Sequence, residues 1–451
     1  MKIVIIGDGK VGHKLTIQMS EENYDVVLID QNEGKLKEAL NSMDILCITG
    51  DAADAEVLKE AGISEADLVV ACASTDELNM MSCLLAKRLG AKHTIARVRN
   101  PIYYKQIHLL KDELRLSMAI NPEYTAALEI SRAVLLPDTA KVETFMKGKV
   151  EMVEHIIREN SRLEGVSLAE VYQILQIKIL VCAVRRGNDV IIPDGDFVIH
   201  VGDRLHIVAS TKAIEQFFSA LGKKRKVKNV LICGGGRIGY YLARQLVYLG
   251  IRVKIIEIDK RRCESLCESF PKATVICGNA ADHELLIEEG IEQADAMISL
   301  TGVDEENIIL ALFARTKGVE KVVAKVNEES RVHLVEELGI DMIISAKSVT
   351  ADTIMSYVRA RQNSLRSINV ESIYQLVGGR VEALEFFINE NTKYTNIPLK
   401  DLATKSNSLI ACIGRGREII IPGGSDEIKA GDSVVVVTTQ KKLQDITDIL
   451  V

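Results

Sequence analysis

No stretch of this 451-residue sequence approaches the roughly 20 uninterrupted apolar residues that a membrane-spanning helix needs. The longest apolar runs, such as Val434 to Val437, are strand-sized. The first predicted strand starts within two residues of Met1, which leaves no room for the charged, apolar and cleavage regions of a signal peptide. These absences predict a soluble, intracellular protein. Cysteine is sparse: nine residues, irregularly placed and without a CxxC, are too few for a disulfide framework. Cys263 and Cys267 stand four apart on a predicted helix with no matching His or Cys pair, so zinc is not expected. Cys47, Cys72, Cys233 and Cys277 sit in apolar, strand-like contexts and read as small core residues. Excess positive charge is lacking too, since the formal net charge is −7, and a nucleic-acid partner is not expected. The one basic run, Lys223-Lys224-Arg225-Lys226, falls between two periodic segments and reads as a solvated linker.

What is present is a chain written twice. KIVIIGDGKVG, from Lys2 to Gly12, recurs as NVLICGGGRIG, from Asn229 to Gly239. The strand ending at Asp30 recurs in the one ending at Glu257. ITGDAADAEVLKEAG from Ile48 recurs as ICGNAADHELLIEEG from Ile276, TDELN (Thr75 to Asn79) as VDEEN (Val303 to Asn307), and IARV ending at Val98 as VAKV ending at Val326. The offset is 227 at the glycines and the acid, and 228 from the GD/GN step onward. The following segments are duplicated as well. Asp189 to Ser210 corresponds to Glu418 to Thr439, each with an apolar strand, a Pro-Gly turn, a Gly-Asp turn and a second β-branched strand. An amphipathic helix is predicted after each, over Lys212 to Leu221 and Lys441 to Leu450.

The predicted fold is therefore α/β. Two Rossmann-like, doubly wound parallel sheets occupy residues 1–138 and 229–365. Each precedes a small α+β, β-rich domain, at 139–222 and 366–451, with the basic linker at 223–228. Helices late in each Rossmann unit, Tyr124 to Val134 and Val349 to Val358, are apolar at helical spacing, which fits either an interface between chains or a core within one.

The glycines carry the chemistry. A strand of Ile3 to Ile6 runs into Gly7-x-Gly9-x-x-Gly12, and a helix is predicted to begin near Lys10. Gly7 permits the tight turn, Gly9 lets backbone approach a pyrophosphate, and Gly12 lets the helix pack closely on the sheet. The helix N-terminus then offers free N–H groups to phosphate. Gly234, Gly236 and Gly239 repeat the pattern. Asp30 lies 23 residues after Gly7, and Glu257 lies 23 after Gly234, where each can accept hydrogen bonds from adenosine ribose hydroxyls. An acid there repels a 2′-phosphate and so favours NAD or NADH over NADP; a purely capping role is the alternative. Ligands of open parallel sheets lie beyond the strands' carboxyl ends. That places Gly50-Asp51 and Gly278-Asn279 near the adenine, Ala73-Ser74 and Thr301-Gly302 after the fourth strands, and Arg97 and Lys325 at the ends of the fifth. The last two residues suit either phosphate or a salt bridge across domains.

Taken together, the GDGKVG and GGGRIG loops, the GD and GN turns, the TDELN and VDEEN segments and the interleaved β-rich units resemble the TrkA family. These are cytoplasmic regulatory subunits of Trk potassium uptake systems, built from RCK domains (regulators of potassium conductance), and the resemblance covers essentially the whole chain. It implies a gating ring on the inner face of the cell membrane, a homo-oligomer expected to be a tetramer, beneath a TrkH/TrkG-like potassium-translocating membrane subunit. It also implies binding of NAD or NADH and, as in many members, ATP or ADP, with pore activity following occupancy. The nucleotide residues it carries over are Gly7, Asp8, Gly9, Lys10, Val11, Asp30, Ser74 and Arg97 in the first half. In the second half they are Gly234, Gly235, Gly236, Arg237, Ile238, Glu257, Gly278, Asn279 and Lys325. Asn279 stands where the first half has Asp51, and Thr301-Gly302 where it has Ala73-Ser74, so the two sites are expected to differ in preference or affinity. An NAD-dependent oxidoreductase is the alternative. It needs a placed acid or base, yet His155 aligns with Phe386, and His200 and His206 with Lys429 and Val435. A transcription factor would need a basic helix-turn-helix for which there is no space.

Overall fold

A computed structural model describes the chain apart from residues 137–138, 147–149, 223–226, 329–337, 367–369, 378–379, 390–391, 406, 417, 441–442, 444 and 451. The basic run 223–226 thus lies outside the described residues. The first lobe runs β1 (Lys2–Ile6), α1 (Lys10–Glu21), β2 (Asp25–Asp30), α2 (Glu33–Ser42), β3 (Leu46–Thr49), α3 (Ala55–Glu60), β4 (Leu68–Ala71), α4 (Asp76–Arg88), β5 (His93–Arg97), α5 (Pro101–Leu110), β6 (Met118–Ile120) and α6 (Pro122–Leu135). Its six strands pair in parallel in the order β3-β2-β1-β4-β5-β6. The central strands are continuous apolar runs, KIVII and LVVA, because helices cover both faces and leave no side for alternation. Strand order reverses between β1 and β4, so the crevice beyond their carboxyl ends is where a ligand fits.

A small domain follows: β7 (Thr139–Phe145), β8 (Val150–Ile156), α7 (Leu168–Leu175), β9 (Leu180–Arg186), β10 (Asp189–Ile191), β11 (Arg204–Ser210) and α8 (Thr211–Ala220). The second lobe comprises β12 (Asn229–Cys233), α9 (Arg237–Tyr248), β13 (Arg252–Glu257), α10 (Lys260–Ser269), β14 (Thr274–Cys277), α11 (His283–Glu288), β15 (Ala296–Ser299), α12 (Asp304–Thr316), β16 (Lys321–Lys325), β17 (Met342–Ile344) and α13 (Ala346–Arg366). Its sheet repeats the first as β14-β13-β12-β15-β16-β17. The last domain holds β18 (Val370–Leu376), β19 (Val381–Phe387), β20 (Ser408–Arg415), β21 (Glu418–Ile420) and β22 (Ser433–Thr438). Both small domains are five-stranded antiparallel sheets. In each, a buried aspartate ties the Gly-Asp turn to an arginine fork: Arg186 Nε donates to Asp203 at 2.7 Å, and Arg415 Nε to Asp432 at 2.9 Å.

Two expectations are corrected. The second closing helix, expected over Lys441 to Leu450, falls partly on undescribed residues. Its described remainder is a short 3-10 turn, Ile446–Ile449, in which Asp445 and Asp448 cap each other's backbone. Of the four strand-borne cysteines, Cys72 and Cys233 are buried, but Cys47 is half-buried and Cys277 is exposed. Cys277 ends β14, an edge strand with a neighbour on one side only.

The lobes close each other's cores. Ala126, Ala127, Ile130 and Val134 of α6 pack into the second lobe with Ile232, Ile238, Leu242 and Leu246. Reciprocally, Ala351, Ile354, Met355 and Val358 of α13 pack into the first with Leu15, Met19 and Leu28. Polar contacts pin both crossings: Asn121 Nδ2 donates to Tyr241 Oη at 3.0 Å, and Tyr24 Oη to Gln362 Oε1 at 2.6 Å. The two late helices whose role was open between interface and core therefore serve the core within the chain. The small sheets also meet, with Phe145, Met152 and Val208 against Val381, Ala411 and Val435.

Candidate functional site

Each lobe builds its site from the turn between first strand and first helix. Gly7 and Gly234 adopt φ of +96° and +108°, the left-handed region that glycine alone enters without strain. A Cβ on Gly12 would lie 1.9 Å from the carbonyl oxygen of Gly7, and one on Gly239 would lie 2.3 Å from that of Gly234. These glycines are required by close packing. Gly9 and Gly236 differ: each N-caps its helix without a side-chain bond, and a Cβ there would meet nothing within 4 Å. By contrast α2, α3, α4, α5, α6, α8, α10 and α11 are all closed by a capping side chain, while α12, N-capped by Val303, is not. The first turns of α1 and α9 thus present N–H groups to open space, as an anion requires.

The two acids stand beside these loops. Asp30 accepts from the N–H groups of Asp8 at 2.6 Å and Asn32 at 2.8 Å. Glu257 accepts from Gly235 at 2.7 Å and Asp259 at 2.9 Å. Each therefore braces its loop, and a carboxylate with two bonds still has lone pairs for ribose hydroxyls. Asp51 and Asn279 close their own turns, accepting from Ala53 at 2.8 Å and Ala281 at 3.0 Å. Gly50 and Gly278 are there because Val57 and Leu285 would overlap a Cβ. The Asp8 carboxylate is turned onto His13 Nδ1 at 3.0 Å, Ala73 is half-buried, and Ser74 is exposed.

Arg97 and Lys325 reach inward. Arg97 Nη2 donates to the Ala73 carbonyl at 2.5 Å, while its buried Nε has no partner among the described residues. Lys325 donates to the Thr301 carbonyl. Burial holds both cations below their ordinary pKa, and for Lys325 the charge of Lys10 acts in the same sense, opposed by Asp304. That two-lobe electrostatic contact reflects the main geometric finding. A cleft of about 480 Å³ between the lobes is lined by Lys10, Val11, Arg97, Arg99, Pro122 and Glu123 from the first, and by Gly236, Arg237, Ile238, Gly239, Leu300, Lys325, Asn327, Ala346 and Lys347 from the second. The buried Glu123 carboxylate pairs with Arg99 and lies 3.9 Å from Arg237. Lys10, Val11, Arg97, Gly236, Arg237, Ile238, Gly239 and Lys325 are predicted site residues brought together from both halves, whereas Arg99, Lys347 and the rest of the lining were not singled out in the sequence. Asp30, Asp51, Glu257, Gly278 and Asn279 do not line it, standing at the ends of the second and third strands; Gly7, Asp8, Gly9, Gly12, Ala73, Ser74, Gly234 and Gly235 are not part of its lining either.

Four residues of the edge carried no assigned role in the sequence. Asn79 accepts from Ala73 N–H at 2.7 Å and donates to the Arg97 carbonyl at 3.0 Å; Asn307 does the same with Thr301 at 2.8 Å and Lys325 at 3.0 Å. Asp76 accepts from the N–H of Arg99 at 3.0 Å, and Asp304 from that of Asn327 at 2.7 Å. They fasten the fourth-strand turn to the fifth-strand end. Their signal was the recurrence of D-E-x-N in both halves.

The TrkA-N domain family matches residues 3–122 and 230–346, and the TrkA-C domain family matches 152–222 and 383–451. The Trk system potassium uptake protein TrkA homolog of Archaeoglobus fulgidus is 33% identical over 449 residues, covering 100% of both chains. Among solved structures, the GsuK channel bound to NAD superposes with a TM-score of 0.66 at 18% identity, covering 98% of this chain and 77% of that one. GsuK bound to ADP gives 0.51 at 17% identity, covering 80% and 69%. With both domain families present twice in tandem, and a full-length relative at this identity, the chain belongs to the TrkA family.

Proposed function

We propose that this chain is the nucleotide-sensing regulatory subunit of a potassium uptake system. In this reading it binds NAD or NADH, and ATP or ADP, at the two glycine loops and controls a potassium-translocating membrane subunit. The observation that carries it is the convergence of two uncapped helix N-termini and their surrounding cations on one cleft between interlocked lobes. The ligand fits the residues present: open space at Gly9 and Gly236 for a pyrophosphate, an acid beside each loop for a ribose, and Arg97, which lines the cleft and whose Nε has no partner among the described residues. Gly7, Asp8, Gly9, Lys10, Val11, Gly12, Asp30, Asp51, Ala73, Ser74 and Arg97 make the first site. Gly234, Gly235, Gly236, Arg237, Ile238, Gly239, Glu257, Gly278, Asn279 and Lys325 make the second.

The names of the relatives support the transport role, and the GsuK structures with NAD and with ADP support the ligand class. No helix among the described residues is long and apolar enough to cross a membrane, which agrees with a peripheral subunit on the cytoplasmic face. Because a ligand in the shared cleft touches both lobes, occupancy biases how they pack, by as much as its affinity differs between arrangements. A closed ring of these pseudo-symmetric chains, taken as a tetramer, transmits that bias to the pore. Hydride-transfer chemistry draws no support from His155, which packs edge-on against the rings of Phe217 and Phe218, where burial lowers its pKa to about 4. The test is co-purification with a potassium-translocating membrane subunit, with and without NADH or ATP, and light scattering of the chain alone. A complex and a tetramer are expected; a monomer at micromolar concentration that retains no membrane partner overturns the reading.

A further inference from the structure

The second lobe carries sulfur where the first has none. Cys263, Cys267 and Cys277 occupy the positions held in the first lobe by Leu36, Leu40 and Thr49. Cys277 ends β14 and is the register partner of Glu257 on the adjacent parallel strand, so the two side chains share a face of the sheet. That face is the one α10 covers, since Ile255, Val275 and Leu266 belong to one core cluster. Cys263 sits one turn before Leu266 on α10, and its Sγ donates to the Glu257 carbonyl at 3.3 Å. Cys263, bonded to the Glu257 carbonyl, and Cys277, paired with Glu257 across the strands, therefore both flank the acid assigned to the ribose. Cys277 is exposed and Cys263 is buried.

We propose that Cys263 and Cys277 form an oxidant-modified thiol pair whose bridging weakens nucleotide binding at the second site, leaving the first site unchanged. This rests on the nucleotide reading above. The oxidant is a hydroperoxide. The exposed Cys277 sulfur attacks its terminal oxygen, the O–O bond breaks, and a sulfenic acid forms with release of water or an alcohol. Cys263 sulfur then attacks that sulfur; the S–S bond forms, the S–O bond breaks, and the Cys263 proton leaves with the hydroxyl as water. Two thiols lose two electrons and one hydroperoxide gains them. Burial pushes the Cys263 thiol up to about 12, so the exposed Cys277 rather than Cys263 takes the first oxidation.

The bridge acts on the site through two contacts. Cys263 loses the S–H that holds the Glu257 carbonyl. It also ties the first turn of α10 to the end of β14, and that turn holds the glycine loop through Arg262 Nε, which donates to the Gly235 carbonyl at 2.7 Å. Cys277 itself leads directly into Gly278 and Asn279.

The experiment treats the full-length chain with hydrogen peroxide, blocks free thiols, maps the linked peptides, and titrates NADH before and after reduction. The expected result is a Cys263–Cys277 peptide, a drop of tenfold or more in affinity at one of two sites, and recovery with dithiothreitol. Cys277→Thr, which copies the first lobe, is expected to bind NADH at both sites and to ignore peroxide. No linked peptide, a bridge through Cys267 instead, or a bridge with unchanged affinity each overturns the proposal. A reduced chain that binds NADH only at the Asp30 site defeats the two-site reading and this inference with it; two sites without a bridge defeat this inference alone.

Discussion

Asp30 and Glu257 each hold the glycine loop of their own lobe through a backbone N–H, so removing either would disturb the loop together with the proposed ribose contact. In the full-length chain, Asp30→Ala should weaken NADH binding at the first site, and Glu257→Ala at the second, by about ten- to hundredfold. Losing hydrogen bonds to a charged group costs about 1.5–3 kcal/mol. Calorimetry checks this, and unchanged affinity in both variants removes the ribose role. The loops also show why GDG and GGG are each viable. A Cβ on Gly235 would lie 2.4 Å from Leu266, whereas the matching position in the first lobe is Ala39, which leaves space for Asp8 to turn toward His13. The glycines and acids were legible in the sequence because their geometry is local. The roles of Asp76, Asn79, Asp304 and Asn307 were not, because most of their partners lie 18 to 24 residues away, at or just beyond the end of the fifth strand of each lobe.

At the scale of elements, the amphipathic faces of α6 and α13 were readable, but not what they cover. Periodicity says that a face is buried, and only tertiary structure says against which lobe. Because α13 completes the first core, Ile354→Ala should cost about 2–5 kcal/mol, the range for truncating a fully buried isoleucine. Urea unfolding of the full-length chain measures it, and a loss under 0.5 kcal/mol, the range of an ordinary surface substitution, contradicts the interlock. The Gly-Asp turns of the small domains were likewise visible as a repeat, without their arginine partners. Burial alone would raise the Asp203 carboxyl, but the Arg186 fork and the His200 N–H outweigh it and hold it below its ordinary value. A folded pKa below the unfolded one gives stability that is present above the unfolded value and is lost as pH falls through the folded one. Asp203→Asn should therefore lower Tm at neutral pH and flatten the acid limb of the Tm profile; an unaltered acid limb contradicts this.

For the whole molecule, the duplication, the parallel sheets and the family were all legible, since they are written in repeated strings. The shared cleft was not, because it arises only when α6 and α13 cross between lobes and bring Lys10 and Arg237 to face the same space. In the proposed function, that cleft would make nucleotide occupancy a whole-molecule variable. A coupling of about 1–3 kcal/mol would change pore activity some five- to 150-fold. The measurement that tests this most directly is potassium flux through the reconstituted membrane partner and the Gly9→Val/Gly236→Val chain, as NADH or ATP is varied. A Cβ at either position meets no protein atom within 4 Å, so the fold accommodates the change while the space for pyrophosphate is filled. The account predicts that the complex still forms and that its flux no longer responds to nucleotide. A double variant that assembles and still follows nucleotide concentration as the native chain does would contradict it.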